Sequence, residues 1–215
     1  MNLINLTRRQ LLGVCITLLS LMNQACAPGI EQYYKPLNQG KTSARGCGGG
    51  PADQITIELQ HGILIIADAT PLNRDELYLD ISFTIPSGYE MAFLTDEVII
   101  RDHKTKLGSL HISGIQKLVS DSTGDHPEVT KQFRGAISIK LKPLDTMIGD
   151  TRPGFYRTSP VNYAWYDLIF RDPIRVKPKV IDIQLPKSRV NGALIDLPIL
   201  KFERTRSVFI YALNC

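Results

Sequence analysis

LYLDISFTI, residues 77–85, alternates apolar and polar side chains without a break. Successive side chains on an extended chain point to opposite sides. Leu77, Leu79, Ile81, Phe83 and Ile85 therefore share one face, and Tyr78, Asp80, Ser82 and Thr84 the other. That pattern is a half-buried antiparallel strand with one side on a core. Pro86-Ser87-Gly88 ends it with turn residues.

Working outward, the same period recurs on both sides. Ile55, Ile57 and Leu59 alternate with Thr56 and Glu58, and residues 62–68, GILIIAD, form a short apolar run. Val98 and Ile100, then Leu110 and Ile112, mark two more strands. Phe133, Ile137, Ile139 and Leu141 alternate with Arg134, Ser138 and Lys140. Residues 163–170, 179–185, 200–205 and 207–213 continue the series, and Asn191-Gly192 is a tight-turn signal. Residues 144–148 are expected to make at most one helical turn. Many short strands without intervening helices define an all-β chain. The expectation is a single antiparallel β-sandwich, immunoglobulin-like, of about nine or ten short strands over residues 54–215. The internal Cys…Trp…Cys spacing of immunoglobulin domains is absent, so this is architecture read from pattern.

Residues 1–26 read as an export signal rather than as part of the fold. Arg8 and Arg9 precede an apolar run of 12 residues, 11–22. As a helix that run spans about 18 Å, against a hydrocarbon core of ~30 Å. The stretch TRRQLL at 7–12 resembles a twin-arginine signal, although paired arginines also occur in general secretory signals. LMNQACAPG, residues 21–29, resembles the lipobox of bacterial lipoproteins, with small Ala25 before Cys26. Asn23 stands where that pattern has an aliphatic residue. The resemblance implies lipidation at Cys26 and a membrane anchor. The alternative is an ordinary cut after Ala27, giving a soluble periplasmic or secreted protein.

The four cysteines are Cys15, Cys26, Cys47 and Cys215. Cys15 leaves with the signal, and Cys26 is either lipidated or removed. Cys47 and Cys215 are left as a matched pair, expected to form one disulfide. Such a bridge closes a loop of about 170 residues, worth about 5 kcal/mol in the chain-entropy model. Residues 27–53 are rich in Gly, Pro and polar side chains and are expected to be a flexible linker or tether. From Cys26 to Cys47 an extended chain reaches about 70 Å. Gly46-Cys47-Gly48-Gly49-Gly50 lacks the Lys-Ser/Thr of a phosphate loop.

The whole chain of 215 residues carries a formal charge of +4, and without Arg8 and Arg9 it has 23 basic against 21 acidic side chains, or +2. With no basic cluster interleaved with aromatics, a nucleic-acid partner is not expected. His61, His103, His111 and His126 form no short-spaced ligand motif; His103 and His111 meet only if a hairpin brings them together. No nucleophile motif surrounds Ser43, Ser109 or Ser188, and neither Asp75-Glu76 nor Asp96-Glu97 can share one face of a strand. No catalytic residue, cofactor or metal is expected.

The most informative segment is residues 142–162, KPLDTMIGDTRPGFYRTSPVN, running into Tyr163-Ala164-Trp165-Tyr166. So long a connection is unusual in a small β domain and commonly carries function. Arg152, Phe155, Tyr156, Arg157, Tyr163, Trp165 and Tyr166 combine aromatics with arginine, the composition of protein-binding hot spots and of sugar-stacking platforms. The competing reading has these rings finishing the core. The expected function is a non-catalytic protein-interaction module on the periplasmic face of a bacterial envelope, with an unidentified envelope protein as partner. The alternative is a carbohydrate- or cell-wall-binding module, and a hydrolase or metal protein is less favoured.

Overall fold

A computed structural model describes residues 27–44, 50–72, 76–103, 105–119, 137–149, 163–175 and 178–211. Its strands are β1 (Ala27–Pro36), β2 (Lys41–Ser43), β3 (Gln54–Glu58), β4 (Leu64–Pro71), β5 (Leu77–Pro86), β6 (Glu90–Phe93), β7 (Glu97–Asp102) and β8 (Thr105–Val119). The second half of the chain gives β9 (Ile137–Leu141), β10 (Met147–Ile148), β11 (Tyr163–Phe170), β12 (Val180–Gln184), β13 (Ser188–Val190), β14 (Ala193–Ile195) and β15 (Leu200–Tyr211). Helical geometry among the described residues is limited to one 3-10 turn, Gln60–Gly62.

The fold is all-β and antiparallel, as the alternation at residues 77–85 requires. The larger sheet runs β1-β15-β12-β7-β8-β11-β5-β4-β3-β2, with β9 paired to β8. A smaller sheet runs β10-β6-β13-β14. The long sheet curls until β1, at one end, packs on β4 and β3, near the other. The result is a sandwich that is nearly closed, like a barrel.

β8 makes the curl possible. Residues up to His111 pair with β7, and residues from Ile112 pair with β11 and β9. The register against β11 shifts between Ile169 and Phe170, a β-bulge that bends the strand. Ser113 stands at the bend and its hydroxyl donates to the Ile169 carbonyl at 3.0 Å, so the interrupted ladder keeps a partner.

Leu77, Leu79, Ile81, Phe83 and Ile85 are all buried, together with Ile55, Ile65, Val98, Ile100, Ile115, Leu168, Ile181, Ile183, Leu200 and Phe202. Met91, Phe93, Met147 and Val190 bring the small sheet into the same core, and Phe93 meets Phe83 edge to face at 5.6 Å. β5 is more deeply set than half-buried: Ser82 and Thr84, on its other face, are buried too. Ser82 lies between its register partners Ile66 and Asp167, and Thr84 between Leu64 and Trp165.

Three sequence expectations need correction. Residues 27–36, within the expected tether 27–53, are not free: they form β1, a sheet strand along its whole length, and Tyr34 is fully buried with its hydroxyl donating to the Pro178 carbonyl at 2.9 Å, while residues 45–49 lie outside the described residues. Burial pushes the Tyr34 phenol above its usual pKa. Residues 200–205 and 207–211 belong to one strand, β15, because β1 pairs across the gap between them, and residues 212 and 213 lie outside the described residues. Residues 144–148 hold a turn and then β10 rather than a helical turn. Asn191-Gly192 is the tight turn expected, with φ of 47° and 81°, the left-handed pair that a two-residue hairpin needs.

Candidate functional site

Both visible ends of the long 142–162 segment converge on Pro86. At the entry, the Lys142 amide donates to Asp145 Oδ2 at 2.7 Å, closing a turn. Met147 then enters the core and Ile148 pairs with Glu90. Gly149 donates to the Tyr89 carbonyl at 2.8 Å and lies so close to Pro86 that a Cβ there would fall 1.8 Å from its carbonyl oxygen. At the exit, Tyr163 is the register partner of Pro86 on the neighbouring strand. Residues 150–162, with Arg152, Phe155, Tyr156 and Arg157, lie outside the described residues.

β11 then sorts its aromatics by parity. Tyr163 and Trp165 share the outer face and are partly exposed, as strand alternation requires. The Trp165 indole N–H donates to Asp167 Oδ1 at 2.6 Å, and the Ser82 hydroxyl donates to the same oxygen at 2.7 Å. One carboxylate oxygen thus holds the ring edge and ties β11 to β5. Tyr166 faces the other way and is buried. It is a core residue, so its place in the binding surface expected from sequence is corrected. Its hydroxyl accepts the Ile148 N–H at 2.9 Å and donates to the Ile148 carbonyl at 2.7 Å.

Three turns complete this end of the sandwich. His61, at φ 66°, stacks on Tyr89 with ring centroids 4.9 Å apart. Asn191 accepts the Glu90 N–H on its side-chain oxygen at 2.8 Å, while its own N–H donates to the Glu90 carbonyl at 3.0 Å. Gly88, Tyr89, Glu90, Ile148 and Asn191 line an open depression of about 370 Å³. Sequence reasoning singled out neither Tyr89 nor Asp167. They reach the site only through pairing between distant strands and turns.

The remaining sequence candidates are scattered. His111 faces Glu97 across the β7–β8 hairpin, with its Nδ1 3.2 Å from Asp96 Oδ2. His103 sits in the hairpin turn beside Asp102, so the two histidines do not meet. Hydrogen bonding from Ser109, then from Lys106, holds the Glu97 carboxyl below its ordinary pKa. Among the described residues no three His, Cys, Asp or Glu side chains converge as a metal site would need. Cys26, Cys47, Cys215 and the apolar run 11–22 lie outside the described residues. Among the described residues no helix is long and apolar enough to cross a membrane.

No protein-family model, curated protein or solved structure matches this chain.

Proposed function

We propose that this protein is exported, anchored through lipid on Cys26 to the periplasmic side of a bacterial envelope, and works there by binding another protein rather than by catalysis. The observation that carries the reading is the common footing of residues 149 and 163 on Pro86. A segment of thirteen residues containing Phe155, Tyr156, Arg152 and Arg157 leaves and rejoins a rigid sandwich at one point. Tyr89 meets its described flank at residue 149, Tyr163 is the flank at its other end, and Trp165 lies two residues beyond Tyr163 on the same face. Recognition loops are commonly mounted in this way, and their energy concentrates in aromatic and arginine anchors.

Capture from solubilised envelopes tests it. Wild-type protein should recover a defined partner, and Tyr156→Ala and Trp165→Ala should each lower recovery severalfold. Equal recovery by all three would remove the proposal. Acylation is checked by the mass of the mature N-terminus, and the Cys47–Cys215 bridge by non-reducing peptide mapping. An unmodified N-terminus after a cut at Ala27 would favour a soluble periplasmic protein.

One observation favours a second reading, a glycan- or cell-wall-binding module. The Trp165 ring is fixed at its edge by Asp167 and partly exposed on the face of a sheet, a platform on which a sugar ring stacks. Trp165 is the sole tryptophan. A blue shift or quenching of its emission with cell-wall glycans would support this reading, and an unchanged spectrum across a glycan series would dismiss it.

A further inference from the structure

We infer that the β1–β15 ribbon is a membrane-docking arm whose tip enters the surface of an anionic phospholipid bilayer. The inference deepens the anchored reading above and rests on it for the orientation of the arm.

The arm follows from unequal strand lengths. β12 pairs with β15 only from Leu200 to Glu203, and the Arg204 amide makes one more bond to the Lys179 carbonyl. From Thr205 to Tyr211, β1 is the only strand partner of β15 among the described residues. Seven residues at about 3.4 Å each extend roughly 24 Å. A two-stranded ribbon is marginal in water by itself.

Its composition changes along its length. Nearest the body the pairs carry charge: Lys35 with Glu203, Tyr34 with Arg204, Gln32 with Arg206, and Glu31 with Ser207. The last four pairs, Ile30–Val208, Gly29–Phe209, Pro28–Ile210 and Ala27–Tyr211, contain no charged residue. Ile30 and Val208 face each other and are 63% and 64% exposed, the two most exposed large apolar residues described. Exposed Arg206 lies two residues behind Val208 on the same face, about 7 Å back along the strand. On this face, with Glu31 on the other by strand alternation, an apolar tip followed by arginine matches the sequence of layers a bilayer presents, acyl chains and then phosphates.

The position of the tip supplies the second argument. Ala27 is the last pair of the ribbon, and the residue before it is Cys26. With residues 27–36 committed to a strand, no slack separates an acyl chain on Cys26 from the tip. The anchor would hold the tip at the lipid surface instead of letting the domain stand off on a leash.

The test uses the full chain carrying Cys26→Ser, so that no acyl chain contributes. Vesicles of phosphatidylglycerol and phosphatidylethanolamine are compared with pure phosphatidylcholine. Co-sedimentation with the anionic vesicles should fall about fivefold with Arg206→Ala, and at least about tenfold with Ile30→Glu plus Val208→Glu. Circular dichroism must show each variant folded. In a Trp165→Phe background, Phe209→Trp should give emission quenched by brominated lipid, which reports on the tip whatever the signal segment does. Absent quenching, together with equal sedimentation of parent and variants, overturns the arm. A concentration-dependent dimer abolished by Ile30→Glu also overturns it, since the tip would then serve a second copy. Failure of lipidation reads out separately: the mature N-terminus of wild type would lack acyl mass while the brominated-lipid quenching persisted.

Discussion

The Tyr166 hydroxyl takes the N–H of Ile148 and gives its own proton to the carbonyl of the same residue. A side chain on β11 thereby substitutes for a neighbouring strand at the point where the chain leaves toward residue 150. Tyr166→Phe keeps the ring in the core and removes both bonds. It should cost about 1–3 kcal/mol, read as a lower urea midpoint at unchanged m-value. If the proposed reading of residues 150–162 holds, partner recovery should weaken as well, since the base of that segment loses its pin.

Gly149 meets the same region by backbone contact. Its position against Pro86 leaves no space for a methyl group, and the obstruction is main chain that cannot rotate aside. Gly149→Ala should therefore destabilise the domain by about 1–3 kcal/mol through forced displacement of the turn. Gly108, with open space at its Cβ, is the control, and Gly108→Ala should be far milder in the same thermal melt.

Tyr34 distinguishes a structural strand from a leash. It is fully buried and bonded to Pro178. Tyr34→Ala should cost about 3–5 kcal/mol, the range for emptying a large aromatic site, whereas a residue in a flexible tether would cost nothing. Tyr34→Phe should lose only about 1 kcal/mol, one hydrogen bond. Denaturant titration of the three proteins decides the matter.

Glu97 gives a pH signature. Its folded pKa is depressed by the Ser109 hydroxyl first and Lys106 second. A depressed acid adds stability above its unfolded pKa of about 4.3, lost as pH falls through the lower folded value. The carboxyl carbon chemical shift of Glu97 should thus titrate below about 4.3. Ser109→Ala should raise that midpoint, and Lys106→Gln should raise it less. A wild-type midpoint at or above the unfolded value would contradict the geometry.

The sequence made some of this legible and hid the rest for physical reasons. Residues 77–85 announced β5 because one face had to be apolar throughout. The opposition of Tyr166 to Tyr163 and Trp165 was likewise implicit in strand parity. β1 was illegible because APGIEQYYKP has two prolines and few apolar residues. Only pairing with β15 makes it a strand, and its prolines are tolerated because β1 stands at the end of the sheet. The same dependence hid the continuity of β15 through Glu203-Arg204-Thr205-Arg206, where no alternation shows. Tyr89, His61 and Asn191 lie on three separate turns, so no local window contains the depression they surround.

The pairing of Tyr34 with Arg204 joins residues about 170 positions apart. Closing so large a loop brings its reward only when the last strand is in place. β1 emerges early and waits for β15 while β2 to β14 are made, with its hydrogen-bonding edge unsatisfied in the meantime. Refolding should accordingly be slow, and the half-made chain prone to pairing β1 with the wrong edge. Among the described strands, the first is completed only by the last, so the fold closes in a single late step.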